Sequence, residues 1–240
     1  MHATRTLSSR TCPNKLLASL PAADYRRLRP LLNPISLPFQ YVLLKPGETL
    51  HTIYFPGDGV CSITQIMRNG RTVEVATVGN EGFIGINALF GGDRWLAGAM
   101  VTVPDSAVQT MSVTAFRGEM SRRGPLVNLV NRYAQGFVAF LMRSVACNAL
   151  HTVDQRCARW LLTTRDRVGR NEFPLTQEFL AVMLGVRRPT VTLVVGALQR
   201  AGLIDYGHKR MIILDRAGLK AASCECYAAA RKHFPRLRSR

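Results

Sequence analysis

Acidic residues are scarce in this chain. Asp and Glu number 15 against 32 Lys and Arg in 240 residues, for a formal net charge of +17. Long apolar runs are missing too, and nothing approaches the roughly 20 residues that a membrane span needs. Met1 to Arg10 has charge and hydroxyls but no apolar core after it, so no secretory signal and no membrane partner are expected, and a soluble cytoplasmic protein is. The six cysteines (Cys12, Cys61, Cys147, Cys157, Cys224 and Cys226) include no CxxC and no paired Cys/His cluster of zinc spacing. They read as reduced structural thiols, and no metal site is expected. Cys224-Glu225-Cys226 is the one close pair, and a lone Cys-x-Cys says little. G-x-S-x-G, H-E-x-x-H and the phosphate-binding GKS/GKT loop are all absent. Gly79-Asn-Glu-Gly82-Phe-Ile-Gly85 has the wrong spacing for a dinucleotide fingerprint and reads as a turn between strands. The sequence therefore offers no constellation for an enzyme.

What is present is apolar enough for two cores: 47% of residues are hydrophobic, and the length suits two domains. The positive charge is lopsided. Residues 1–120 hold 11 basic and 8 acidic side chains, whereas residues 121–240 hold 21 and 7, a net of +14. Charge kept only for solubility need not gather in one half. A one-sided basic excess suits a polyanion, because each neutralised phosphate releases a condensed counterion.

Three textures follow one another. Leu16 to Leu32 reads as one or two short helices, closed by Pro30, Pro34 and Pro38. Short apolar runs with turn signals then fill the stretch to about residue 120: Tyr41–Leu44, Ile53–Phe55, Val60–Met67, Thr72–Val78, Ala99–Val103 and Ala107–Met111. Asn69-Gly70 predicts a tight hairpin. From Pro125 to about Ala149 apolar residues recur at helical steps (Leu126, Val130, Tyr133, Phe137, Leu141), with Leu129, Val138, Phe140 and Val145 beside them. So wide an apolar surface can cover the β domain on one side and a second copy of the chain on the other; burial within a monomer is the alternative. A further helix is expected from Val153 to Val168, stopped by Gly169.

The function-bearing segment begins at Thr176, which can cap a helix from Gln177 to Leu184. Gly185 suits the sharp turn that follows. A second helix starts near Arg188, and Pro189 fits its first turn because the missing N–H has no partner there. Val191, Val194, Val195 and Leu198 form its buried stripe. Two helices joined by a glycine turn, the second opening on Arg187-Arg188-Pro189-Thr190, suit a recognition helix entering the major groove by its N-terminus. Arginine can bond guanine O6 and N7 bidentately, and Thr190 and Thr192 can reach phosphate or a thymine methyl. Gly202–Asp205, a turn at Tyr206–Arg210 and Met211–Leu214 then read as strand, turn and strand: a wing whose Lys209 and Arg210 can grip the backbone of double-stranded DNA.

On these residues the chain resembles the Crp/Fnr family of bacterial transcription regulators along nearly its whole length, most specifically from Thr176 through Leu198 and at Ala201-Gly202-Leu203-Ile204. The resemblance implies an α+β protein: an antiparallel β-roll or jelly-roll sensor domain at 1–120, a dimerisation helix at 121–150 and a winged helix-turn-helix at 151–240. It also implies a homodimer on a roughly palindromic site, with RNA polymerase as a further partner. Position by position, Arg188 matches the family's base-reading arginine, and Thr176 and Gln177 open its first helix. Pro189 replaces a base-reading glutamate and Leu193 replaces a second arginine, so the target sequence is expected to differ. The sensor half departs further. Where nucleotide-binding members carry Gly-Glu and, about ten positions on, an arginine with a small hydroxyl residue, this chain has Gly85-Ile86 and Leu96-Ala97. Arg94 lies two residues away from the arginine position. An apolar side chain cannot neutralise a cyclic phosphate, so cyclic AMP is not expected. Cys12 stands alone where the oxygen-sensing branch has a cysteine cluster, so no iron–sulfur centre is expected. Haem stays open because one His or Cys can ligate it; His51, His151, His208, His233 and Cys61 are read as structural. The alternative to a sequence-specific regulator is a non-specific or architectural nucleic-acid-binding protein; a bare dimerisation module leaves the arginine pair and the wing unexplained.

Overall fold

The computed structural model describes residues 12–233, with side chains to residue 230. The expectations for Met1–Arg10, the side chain of His233 and the end of the basic tail lie outside the described residues. Two short helices come first, α1 (Lys15–Ala18) and α2 (Ala22–Leu28). Asn14 caps α1, and its buried amide donates to the Pro56 and Gly82 carbonyls at 2.8 and 2.9 Å, fastening the entry segment to the β domain.

Seven strands follow: β1 (Asn33–Leu37), β2 (Val42–Leu44), β3 (Thr52–Phe55), β4 (Val60–Ile66), β5 (Thr72–Val78), β6 (Gly98–Val103) and β7 (Asp105–Ser112). They pair antiparallel as two sheets, β1-β7-β3 and β2-β6-β4-β5, around a shared apolar core. Proline is tolerated in β1 because that strand is an edge. The Asn69-Gly70 hairpin is wider than the dipeptide predicts: Ile66 pairs with Thr72, and residues 67–71 form the connection, closed by Met67 N–H to Arg71 O at 2.9 Å.

Helix α3 (Val113–Ser121), capped by Ser112, leads to α4 (Pro125–Leu150). Leu126, Leu129, Val130, Tyr133, Phe137 and Phe140 bury one stripe of α4 in the β-domain core. Each such side chain contributes about 1.5–3 kcal/mol relative to exposure. Val138, Met142 and Val145 face solvent on the opposite side. Helix α5 (Val153–Val168) starts with a Thr152/Gln155 capping box and ends at Gly169 in the left-handed conformation.

The rest of the chain is β8 (Glu172–Pro174), α6 (Gln177–Leu184), α7 (Arg188–Arg200), β9 (Ile204–Gly207), β10 (Arg210–Ile213), α8 (Arg216–Ala222) and α9 (Cys226–His233). A second core holds α5, α6, α7 and the β8-β10-β9 sheet together. Strand β8 carries no sequence signal, being three residues long and polar at one end. No single helix among the described residues is long and apolar enough to cross a membrane.

The two cores meet at a polar seam. Arg167 of α5, only 7% exposed, pairs with Glu81 at 2.8 Å, donates to the Thr77 carbonyl and hydroxyl, and lies over the Phe140 ring at 5.9 Å. Gly79 lets it in, since a Cβ there would stand 2.6 Å from the Arg167 Cδ. The glycine-punctuated segment read as a turn is thus the socket for Arg167. Beside it, the Trp160 indole N–H donates to Glu74 of β5 at 3.0 Å, and Ser62 donates to the same carboxylate at 2.6 Å. Burial pushes the Glu74 carboxyl up to about 7. The cysteines are not as scattered as their numbering suggests: Cys147, Cys224 and Cys226 come together with His151.

Candidate nucleic-acid interface

Thr176 is the N-cap of α6, its hydroxyl accepting from the Phe179 N–H at 3.1 Å. Gly185 ends α6 at φ 67°, and a Cβ on it would meet Val73 Cγ2 of β5 at 3.0 Å. The left-handed backbone favours glycine there, and the nearby Val73 methyl leaves little room for a side chain. The chain then bends, and α7 leaves at 104° to α6, within the range of helix-turn-helix units. Arg187 is the N-cap residue of α7 and Pro189 sits in its first turn. Val191, Val194, Val195 and Leu198 are buried, which leaves Pro189, Thr192, Leu193 and Ala197 on the outer face.

The expected DNA-contacting residues gather on this edge. Arg187, Arg188, Pro189 and Thr192 are exposed, and Thr190 is half-buried. The Thr192 hydroxyl donates to the Gln177 side-chain oxygen at 2.7 Å, joining the starts of α6 and α7. Thr176 and Gln177 are therefore occupied in holding the unit together as well as standing at its edge. The Thr190 and Val191 N–H groups are taken by the Arg187 carbonyl, and the positive end of the helix adds to the two guanidinium charges. The wing turn is tighter than expected: β9 and β10 extend through Gly207 and from Arg210, so His208 and Lys209 alone make the turn, both at positive φ. Lys209 and Arg210 are exposed.

Three residues of this edge are not singled out as polar partners by the sequence. Glu178 pairs with Arg188 at 2.8 Å; both side chains are more than 60% exposed. Glu172 of β8 pairs with Arg210. The half-buried Tyr206 phenol stands near the Gln177 backbone N–H, and burial raises its pKa. Glu178 is findable as the one acid next to the cap of α6. Glu172 and Tyr206 need the sheet register. Leu193, 74% exposed, stands on the outer face of α7, where an apolar side chain can meet a thymine methyl.

The β-domain residues form a different kind of site. Gly85 is buried and opens the short 3-10 turn Ile86–Phe90. Ile86, Leu96 and Ala97 line a cavity of about 150 Å³ together with Ile63, Trp95 and Phe137. Small-molecule sites usually run to roughly 300 Å³ or more. Arg94 does not line that cavity; its guanidinium donates to the Gly47 carbonyl at 3.0 Å at the surface. Among the described residues, no cation stands in the cavity lining beside Leu96 to meet a cyclic phosphate.

Comparison with known proteins agrees with this layout. Residues 35–123 match the cyclic nucleotide-binding domain family and residues 155–222 the Crp-like helix-turn-helix domain family. The transcriptional regulator SdrP of Thermus thermophilus is 28% identical over 173 residues, 68% of this chain and 79% of the relative. Among solved structures, a CRP-family transcriptional regulator of Thermus thermophilus superposes with a TM-score of 0.66 at 22% identity, covering 78% of this chain and 95% of that one. The c-di-GMP-responsive global regulator CLP of Xanthomonas campestris gives 0.65 at 18% identity, covering 81% and 100%. At such identities the superpositions speak for the fold.

Proposed function

The chain belongs to the Crp/Fnr family of transcription regulators, and from that premise we propose that it acts as a homodimer reading a roughly palindromic DNA site with Arg188 as its principal base-reading side chain. The observation that carries this reading is the exposed Arg187-Arg188-Pro189 start of α7, beside the wing cations Lys209 and Arg210. Arg188 supplies the bidentate fork for guanine, Leu193 and Thr192 the contacts one turn deeper, and Lys209 with Arg210 the phosphate grip. The carboxylates that hold Arg188 and Arg210 are solvent-exposed, so phosphate and base edges can replace them at little cost.

Dimerisation rests on α4. Val138, Met142, Val145 and Ala149 are exposed at steps of four, three and four, the spacing of a coiled-coil seam. Two copies packed along it would present two recognition helices to successive major grooves, about 34 Å apart. In the β-roll, the small apolar lining argues against cyclic AMP, and the single Cys12 argues against an N-terminal iron–sulfur centre. Contact with RNA polymerase is part of the same proposal.

The test is selection of duplexes from a random pool at physiological salt, followed by competition. A two-fold symmetric consensus, bound roughly 10³-fold or more tighter than random duplex, is the expected result. Equal affinity for selected and random duplexes would mean a non-specific or architectural binder instead.

A further inference from the structure

Four metal-ligating side chains converge where the C-terminus of α4 meets α9. Cys147 lies in the last turn of α4, and His151, four residues on, is its C-cap. Cys224 and Cys226 flank the start of α9. The three thiols are buried and cluster with one another, apart from both apolar cores. Cys147 Sγ and Cys224 Sγ are 3.6 Å apart, Cys226 Sγ and His151 Nδ1 are 3.7 Å apart, and all four donor atoms lie within 4.8 Å of one another.

From this arrangement we propose that Cys147, His151, Cys224 and Cys226 form a tetrahedral Cys3His site for a single thiophilic divalent cation of the zinc class. Tetrahedral bonds of about 2.3 Å to sulfur and 2.0 Å to nitrogen set donor–donor edges of about 3.5–3.8 Å. The two short separations match those edges. A disulfide needs its sulfurs at about 2.05 Å, far inside the Cys147–Cys224 separation. A multinuclear iron–sulfur cluster spreads its ligands wider than this set allows.

The surroundings fit a bound cation as well. The far ring nitrogen of His151, Nε2, faces the Glu225 carboxylate at 3.1 Å, which would fix Nδ1 as the free, ligating nitrogen. Carboxylate–histidine–metal relays of this kind orient the ligand and strengthen it. Three thiolates, a neutral imidazole and a divalent ion sum to one negative charge. Arg156 and Arg159 of α5 both act electrostatically on these thiols, so that charge has counterions at hand. Binding would release the thiol protons to solvent and tie three parts of the chain together: the helix with the seam of exposed apolar residues, its C-cap at His151 and the helix closing the DNA-binding domain. The site is independent of the DNA-binding reading, so each can fail alone.

The experiment uses the full chain, reduced and freed of metal with a chelator, and titrates it with cobalt(II) alone. One equivalent should produce the intense visible bands of tetrahedral cobalt and a sulfur-to-cobalt charge-transfer band, both abolished by one equivalent of zinc(II). Cys226→Ser should lose the charge-transfer intensity in part and bind more weakly, while Cys12→Ser behaves as the native chain. Glu225→Gln should keep the spectrum and lower zinc affinity roughly 10–100-fold. A pale octahedral spectrum without charge transfer, or full binding retained in Cys226→Ser, overturns the proposal. So does a Cys147–Cys224 disulfide found by mass in protein handled without oxidant.

Discussion

Arginine works in opposite ways at the recognition edge and at the seam between the β-roll and α5. Arg188 and Arg210 stand in solvent, each held by an exposed carboxylate. Such pairs contribute about 0–1 kcal/mol and are screened by salt, so they exchange readily for another anion. Arg167 is enclosed, with a half-enclosed carboxylate, a hydroxyl, a carbonyl and an aromatic face all committed to it. Once its charge has been taken out of water, losing a partner is expensive. The same side chain therefore serves recognition where its solvation is cheap to replace, and architecture where it is not.

The contrast can be broken first at the seam. Arg167→Ala leaves Glu81 without its cation and should lower unfolding stability by about 3–5 kcal/mol, read as the midpoint of a urea transition. A loss under about 1 kcal/mol would put Arg167 in the same class as the surface arginines. At the edge, Arg188→Ala should weaken binding to a selected duplex by about 1–3 kcal/mol and relax the preference at one base pair, with stability held within about 0.5 kcal/mol. Lys209→Ala, by contrast, should weaken all duplexes alike and reduce the salt slope by about one. If both variants changed base preference equally, the division between reading and gripping would fail. The smallest effect concerns Glu74, the half-buried carboxyl that Trp160 and Ser62 hold in the seam. Its folded pKa is raised to about 7 by burial, so the folded chain holds that proton more tightly than the unfolded one. The associated stability is whole below about 4.5 and is lost as pH rises through about 7. Glu74→Gln should therefore melt closest to the native chain at about pH 5 and gain on it by a few degrees at about pH 8; equal pH profiles would show that Glu74 stays ionised throughout.

Much of the recognition unit is legible in the sequence. Thr176 as cap, Gly185 at the turn, Pro189 in a first turn and the Val191–Leu198 stripe each obey a local rule, and α6 and α7 begin where those residues place them. The wing is legible as a hairpin, but its turn is shorter than the sequence suggests, because Tyr206 and Arg210 carry no signal separating strand from turn. Strand β8 is formed by register with β10, which pairs Phe173 with Met211 across the sheet, and three residues alone cannot announce it. The β-roll's altered positions, Ile86 and Leu96, are visible by type; that they frame a small apolar cavity is not.

By itself the sequence determined the order of elements, the caps and turns that bound them, the stripes they bury and the half that carries the charge. These depend on near neighbours, and near neighbours are written in order. Tertiary structure alone decided which arginine is buried and which is exposed, because Arg167 and Arg188 differ in what distant strands bring to them. It also decided that Cys147 and His151 share one point in space with Cys224 and Cys226, far along the chain. Donor geometry is a property of folded distance, and spacing along the chain does not carry it.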